Sequence, residues 1–331
     1  MSTKRSAFAS ILAKDISTYI SEKRALGNRY LTEEDTLRLL DRFLAAQGIA
    51  SRSGITPELV NRFLYSRPRR TARSYNLLRV TIKAFFEYLV ERHRIPGNPV
   101  QAPERSKRDL CRPFIFTPSQ IRELLTAAGR LPSKGSSRIR RHICYAIFAL
   151  LYALGLRIGE VTRLCISDVD LNEGRLLVRM TKFSKTRWVP FGPNVRGMLQ
   201  RYLVHRQRLV NTPLPDAPLF SFTGTCSVSP QAMRKTFRRL ISAMDLRIPP
   251  GSRPPVVHSL RHSFAVSRLL KWYRQGANVS ERLYALSTFM GHVDPTSTQV
   301  YLTITDDLLF EASRRFEDFA SPDAKWLEDP I

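Results

Sequence analysis

The chain has 331 residues, more than one ordinary core needs, and its 43% hydrophobic content excludes a disordered protein. Lys and Arg total 53 against 28 Asp and Glu, a formal net charge of +25 at pH 7. Such a charge repels itself unless the working partner is a polyanion, which makes nucleic acid the leading candidate. The alternative is a basic membrane-surface protein, but no apolar run reaches the roughly 18 residues of a membrane span.

Cysteine spacing and the amino terminus bear on the compartment. The four cysteines are widely spaced and form no C-x-x-C pair, so neither a zinc site nor a disulfide framework is indicated. A short apolar patch near the amino terminus is interrupted by Lys14 and Asp15 before a signal-peptide core could form. We therefore expect reduced thiols and a cytoplasmic, nucleoid-associated protein.

The first hundred residues have the pattern of a small helical domain. Apolar residues recur every three or four positions in four segments, the period of an amphipathic helix. Two segments also have start signals: Thr32 stands three residues before Asp35 in a near capping box, and Thr56 is followed by Pro57. The predicted helices cover residues 8–23, 32–48, 56–64 and 73–93.

A linker follows these helices. Pro96, Gly97, Pro99 and Pro103 precede the charged run Glu-Arg-Ser-Lys-Arg, and the segment has little periodicity. We place the boundary near residue 105, which gives an amino-terminal domain over 1–105 and a carboxyl-terminal domain over 106–331.

The second region is helical with one interruption. Between Val169 and Phe191 the period changes to that of three short strands, which predicts a small antiparallel sheet. One predicted helix begins at Thr117-Pro118, and three others cover residues 143–156, 194–209 and 229–244. The whole chain is therefore expected to be mainly α.

Three short stretches contain residues that could carry chemistry. Arg157 lies in LGLRIGE, where it either pairs with Glu160 as a structural contact or faces an anionic ligand. In HSLRHSF, His258 and Arg261 are three residues apart and share a helix face, while His262 is predicted to point elsewhere. By itself this second stretch is more typical of an ordinary polar helix surface.

The third stretch, GHVDPTSTQVY, places His292 nine residues before Tyr301. A tyrosine in this position is usually a packing residue whose hydroxyl reaches solvent. Tyr273 and Tyr284 are rival tyrosines, but neither follows a Gly-His pair at this spacing.

Taken in order, GLRIGE, TKFSKTRWVPF, HSLRH and MGHVDPTSTQVY resemble the motifs of the tyrosine recombinase or phage integrase family, and the resemblance covers most of the chain. It implies an amino-terminal helical core-binding domain and a carboxyl-terminal catalytic domain that together clamp DNA. It also implies a catalytic set of six residues: Arg157, Lys182, His258, Arg261, His292 and Tyr301.

In the implied reaction, Tyr301 attacks a DNA phosphate and leaves a 3′-phosphotyrosyl bond and a free 5′-hydroxyl. The two arginines hold the non-bridging oxygens, His292 hydrogen-bonds the phosphate and His258 assists proton transfer. Lys182 protonates the leaving oxygen; Lys185, three residues later, is the alternative for that role. Fixed cations suit a phosphodiester that gains negative charge in its five-coordinate transition state.

No cofactor and no metal are expected. The sequence near these motifs has no acidic cluster typical of a two-metal nuclease and no P-loop. Rejoining needs no ATP because the covalent bond conserves the energy of the broken phosphodiester.

The resemblance further implies partners and a biological role. We expect a homotetramer on specific double-stranded DNA sites, with a tail after Tyr301 that docks on a neighbouring protomer, possible partner recombinases, and no membrane. The role is DNA integration, transposition or another recombination reaction of a mobile element. Two alternatives remain: a type IB topoisomerase, which relaxes supercoils as a monomer, and a non-catalytic DNA-binding protein.

Overall fold

The computed structural model describes residues 7–28, 30–66, 69, 71–106, 112–132, 138–179, 186–210, 214–291 and 300–303, together with 308, 310, 311 and 313. The chain divides into two compact units, Met1–Leu110 and Cys111–Ile331. The described residues are mainly helical with one three-stranded antiparallel sheet, which confirms the predicted fold class. None of the helices in these ranges is both long and apolar enough to cross a membrane.

The described residues of the first unit form four helices around one core: α1 (Ala13–Ala25), α2 (Leu31–Ala46), α3 (Pro57–Tyr65) and α4 (Ala72–Glu91). Their apolar faces meet at fully buried side chains such as Leu37, Phe63 and Phe85. Thr56 caps α3 as predicted, because its hydroxyl accepts a hydrogen bond from the Leu59 N–H at 3.3 Å.

The predicted start of the first helix is wrong. Helix α1 begins at Ala13 rather than Phe8, because the backbone N–H groups of Ala9 and Ser10 donate to the Asp41 carboxylate at 3.0 and 2.9 Å. These two hydrogen bonds to a side chain of α2 satisfy both backbone N–H groups without a helical turn.

The capping box predicted for the second helix is also absent. Helix α2 begins one residue before Thr32, after Tyr30 in the left-handed region with a φ of 48°. Thr32 and Asp35 therefore lie inside the helix, where a capping box cannot form.

In the described part of the second unit there are seven helices and the sheet, and the apolar helix α6 lies in the main core. The helices are α5 (Pro118–Gly129), α6 (Arg140–Ala153), α7 (Ile158–Val161), α8 (Pro193–Val210), α9 (Pro230–Ser242), α10 (Val257–Arg274) and α11 (Val279–Met290). Ile143, Ile147 and Phe148 on α6 are fully buried. A 3-10 turn at Val300–Thr303 follows α11 in the described residues, and its Tyr301 is buried with residues of α10 and α11.

The sheet contains β1 (Val169–Asp170), β2 (Arg175–Val178) and β3 (Arg187–Pro190) in the order β1-β2-β3. Both pairs are antiparallel, and Val178 at the end of β2 lies opposite Arg187 at the start of β3. This register places Arg187 at the end of the sheet that meets the carboxyl end of α11.

Candidate active site

A glycine turn positions the first arginine of the predicted set. Gly155 follows α6 with a φ of 59°, and a Cβ at this position would collide with the Phe264 ring of α10. The turn allows the chain to approach α10 closely and brings Arg157 to the start of the short helix α7.

Arg157 contacts both α7 and α11. Its backbone N–H donates to Glu160 Oε2 and its Nη1 to Glu160 Oε1, each at 2.9 Å. Its Nη2 donates to the carbonyl of Gly291 at 3.0 Å. The side chain is still 31% exposed. Of the two interpretations left open by the sequence, pairing with Glu160 is observed, and the exposed part of the guanidinium can also face an anion.

Glu160 is a buried carboxylate between two arginines. Arg187 Nη1 and Nη2 donate to Glu160 Oε1 and Oε2, both at 3.1 Å. This is a bidentate contact with the same carboxylate that Arg157 contacts. Burial by itself would raise the pKa of Glu160, but the hydrogen bonds and charge of Arg187, with those of Arg157, outweigh burial and lower it. Glu160 is therefore ionised and holds the two guanidinium groups in place.

Arg187 connects the sheet to the end of α11. Its Nε donates to the carbonyl of Phe289 at 3.1 Å and its Nη2 also lies 3.3 Å from the carbonyl of Met290. Sequence reasoning did not select Arg187 as a site residue. The available signal was its place in the K-x-R-x-V-P strand motif beside Lys182.

Arg261 is the most buried charge of the site, with 1% of its surface exposed. Its Nη1 donates to the carbonyl of Gly155, and its Nη2 to the carbonyl of Met290 at 2.8 Å. Burial, and then the charge of Arg157, lowers the pKa of Arg261 to about 10, so the group is still a cation at neutral pH.

Tyr301 lies against α10, and His262 contacts it. His262 Nδ1 is 3.1 Å from Tyr301 Oη, and the two ring centroids are 5.5 Å apart. The prediction that His262 points elsewhere is wrong, because His262 follows His258 by four residues and lies on the same helix face. The rings of His258 and His262 meet edge to face at 4.6 Å, with His258 on the exposed side.

The environment of Tyr301 favours the protonated phenol. Only 4% of the residue is exposed. Burial raises the pKa of Tyr301 above its ordinary value of 10, while the charges of Arg261 and Arg157 and a hydrogen bond from Arg261 oppose that rise. The hydroxyl thus lies within the influence of both arginines.

The structure brings together four of the six predicted site residues: Arg157, His258, Arg261 and Tyr301. The other two, Lys182 and His292, lie outside the described residues, as does Lys185. The assembled groups are two fixed guanidinium cations, two imidazoles and a buried phenol. This set can bind a phosphate group and supply a nucleophile beside it.

Comparison with known proteins identifies the class. Residues 115–307 match the model of the phage integrase family. A protein of Sinorhizobium fredii named as an integrase/recombinase, y4rB, is 32% identical over 307 residues, which cover 91% of this chain and 96% of that protein. The tyrosine recombinase XerD of Ralstonia nicotianae is 28% identical over 82% of each chain. The chain belongs to the phage integrase family of tyrosine recombinases.

Solved structures show the same fold. The Tn1549 transposon integrase in complex with transposon right end DNA has a TM-score of 0.65 and 18% identity, covering 93% of this chain and 98% of that one. A lambda integrase tetramer bound to a Holliday junction has a TM-score of 0.63 and 19% identity, covering 90% of this chain and 78% of that one.

Proposed function

We propose that this protein cuts and rejoins DNA at specific sites through a covalent 3′-phosphotyrosyl bond to Tyr301. The observation that carries the proposal is the buried Tyr301 hydroxyl, which lies beside Arg261 and 3.1 Å from a ring nitrogen of His262. A tyrosine that only packed would not need a cation and an imidazole at its oxygen. Membership of the tyrosine recombinase family supports the same conclusion.

The arginines would stabilise the transition state. As Tyr301 attacks phosphorus, negative charge grows on the non-bridging oxygens, and Arg157 and Arg261 are already fixed close to the nucleophile. Donors that are held in place before the reaction need no reorganisation as charge develops, and in a buried site they interact more strongly than in water.

Further groups complete the proposed reaction. His258, on the exposed side of His262, would assist proton transfer, Lys182 would protonate the leaving 5′-oxygen, and His292 would hydrogen-bond the phosphate. None of these steps requires a metal ion or ATP, because the phosphotyrosyl bond conserves the energy used in rejoining.

The proposed biological role is recombination of a mobile element. The likeness to an integrase solved with transposon DNA supports integration or transposition, and the likeness to a tetramer on a Holliday junction supports assembly of four protomers on two duplexes. In this proposal residues 1–105 form the core-binding domain and 106–331 the catalytic domain. The formal net charge of +25 suits a partner that is a duplex polyanion.

Capture of the covalent intermediate tests the proposal. Nicked duplexes tiled across the DNA that borders the gene are incubated with the protein in EDTA without ATP, then separated by denaturing electrophoresis. Cleavage near a nick releases a short strand, so rejoining fails and the adduct accumulates. We expect a protein-DNA band with wild type, the same band with Tyr284→Phe on the exposed face of α11, and none with Tyr301→Phe.

Two outcomes would overturn the proposal. One is a Tyr301→Phe band at the wild-type yield, which would move the nucleophile elsewhere. The other is the absence of a band from every duplex, although the protein binds the same DNA in a gel-shift assay.

A further inference from the structure

His262 contacts the proposed nucleophile but has no role in the proposed reaction. Its Nδ1 lies 3.1 Å from Tyr301 Oη, within hydrogen-bond distance. On the same helix, the His258 ring meets the His262 ring edge to face with centroids 4.6 Å apart, and Arg261 is the preceding residue. His262 is thus held between a second imidazole, a guanidinium and the phenol.

The electrostatics of this position keep His262 neutral. Burial, followed by His258 and Arg261, lowers the pKa of His262 to about 3, so at neutral pH one ring nitrogen has a free lone pair. Tyr301 has a raised pKa and keeps its proton. Arg261 opposes that rise without cancelling it. The distance of 3.1 Å places the phenol hydroxyl within hydrogen-bond reach of Nδ1 of the neutral imidazole.

We propose that His262 accepts the phenol proton of Tyr301 during strand cleavage and returns it during rejoining. The inference rests on the proposed function, because it requires Tyr301 to be the nucleophile. It assigns to His262 the tautomer with the proton on Nε2, which leaves Nδ1 as the acceptor.

Every atom in the step is accounted for. The bond between Tyr301 Oη and phosphorus forms, the bond between phosphorus and the 5′-oxygen breaks, and the phenol proton moves to His262 Nδ1. The leaving 5′-oxygen takes a different proton, from Lys182 in the proposed reaction. Rejoining reverses each transfer, so that His262 protonates the departing phenol.

The lowered pKa of His262 makes the transfer depend on DNA. Without DNA, the imidazole is too weak a base to ionise a phenol whose own pKa is raised. A bound phosphate places a negative charge beside Arg261, which offsets the cation that helps to lower the pKa of His262. The phenol also becomes more acidic as its oxygen bonds phosphorus, so proton transfer and attack occur together. Tyr301 is therefore activated only with DNA in place.

A duplex with sulfur in place of the bridging 5′-oxygen separates the two proton transfers. A thiolate leaves without being protonated. Sulfur therefore restores cleavage by a variant that has lost the acid for the leaving group, but not by a variant that has lost the base for Tyr301. The substrate is made from the duplex that gives the strongest covalent band, with sulfur at the mapped cleavage position. Single-turnover cleavage is then measured with oxygen and with sulfur substrates.

His262→Asn is the main variant, since an amide oxygen can accept the phenol hydrogen bond but cannot take up the proton. We expect cleavage at least about 100-fold slower than wild type on both substrates, the usual size of a general-base effect. Lys182→Ala should be slow on the oxygen substrate and recover on the sulfur substrate. His205→Asn, on α8 where the ring stacks on His142 of α6, should cleave at the wild-type rate.

Recovery of His262→Asn on the sulfur substrate, or wild-type rates on both substrates, would overturn the inference. The inference would also fail if His258→Asn cleaved slowly on both substrates while His262→Asn cleaved normally. If Tyr301→Phe abolishes the covalent band and His262→Asn cleaves normally, only this inference fails. If Tyr301→Phe still forms the band, the proposed function fails first.

A measurement on the wild-type protein covers the case in which His262→Asn does not fold. Nitrogen NMR of histidine-labelled protein reports the proton position on each ring, and the His262 signal is recognised by its shift in Tyr301→Phe. We expect a neutral ring with the proton on Nε2 at about pH 7. A charged ring, or one with the proton on Nδ1, would overturn the inference.

Discussion

Arg157 and Arg261 donate to neighbouring carbonyls at the end of the same helix: Arg157 to Gly291 at 3.0 Å and Arg261 to Met290 at 2.8 Å. The carboxyl end of a helix has free carbonyls and a partial negative charge, which stabilise cations placed there. Helix α11 therefore holds two guanidinium groups close together, although they repel each other. The carboxyl end of α11 thus holds together the two positive charges that the proposed reaction requires.

Replacing Arg187 by lysine tests the contact between the sheet and α11. Lysine keeps the charge but cannot bond both Glu160 oxygens and the α11 carbonyls at once. We expect the free energy of unfolding to fall by about 2 kcal/mol, since buried polar groups lose partners. Yield of the covalent complex should also fall. Urea denaturation measures the first effect and the nicked-duplex assay the second.

Arg175→Lys is the matched control, because Arg175 lies in the same sheet with a side chain that is 42% exposed. It should leave both stability and adduct yield close to wild type. Equal effects of the two substitutions would contradict the role assigned to Arg187.

Gly291→Ala tests the close approach of Arg187 to the end of α11. Gly291 has a φ of 68°, and a Cβ there would lie 2.8 Å from the Arg187 guanidinium. Gly276 has a φ of 67°, and a Cβ there would have no atom within 4 Å. Both substitutions cost about 1 kcal/mol of backbone strain, but only Gly291→Ala also displaces Arg187.

We therefore expect Gly291→Ala to be the less stable of the two by thermal denaturation and to form less covalent complex. If the two alanine variants have the same melting temperature and the same adduct yield, the contact with Arg187 is unimportant.

Two histidines with lowered pKa values should make the folded protein less stable in acid. Burial, with His258 and Arg261 nearby, lowers that of His262 to about 3. Burial, with His205 and Arg141 nearby, lowers that of His142 to about 4. Below about pH 6.5 the unfolded chain takes up protons at these rings that the folded chain cannot, so the free energy of unfolding decreases as the pH falls.

His142→Gln should reduce this loss of stability between about pH 6.5 and about pH 4, as measured by urea denaturation across that range. His93→Asn, at an exposed residue that follows α4, is measured alongside as the control for a histidine substitution. A His142→Gln protein that loses stability with acid as steeply as wild type would contradict the assignment.

The helix starts that sequence predicted correctly depend on contacts between near neighbours. Thr117 caps α5 by accepting from the Gln120 N–H at 3.3 Å, and Ser229 caps α9 by accepting from the Ala232 N–H at 3.1 Å. Each signal lies within three residues of its partner and is followed by proline. The start of α1 could not be predicted in this way, because it depends on Asp41 of another helix.

The same distinction applies to the candidate site. Arg157 and Arg261 stand in recognisable motifs, and their family position was enough to select them. The contact of His262 joins residues 39 positions apart, and that of Arg187 with Phe289 joins residues 102 positions apart. Such contacts depend on how α10, α11 and the sheet pack, which periodicity does not determine.

Mapping the DNA adduct to a residue tests the central claim most directly. The covalent complex is digested with nuclease and protease, and the peptide that retains nucleotides is sequenced by mass spectrometry. Tyr273 and Tyr284 are the rivals within α10 and α11, and Tyr284 is 69% exposed. We expect nucleotides on Tyr301 through a 3′-phosphate; nucleotides on Tyr273, Tyr284 or any other residue would contradict its role as the nucleophile.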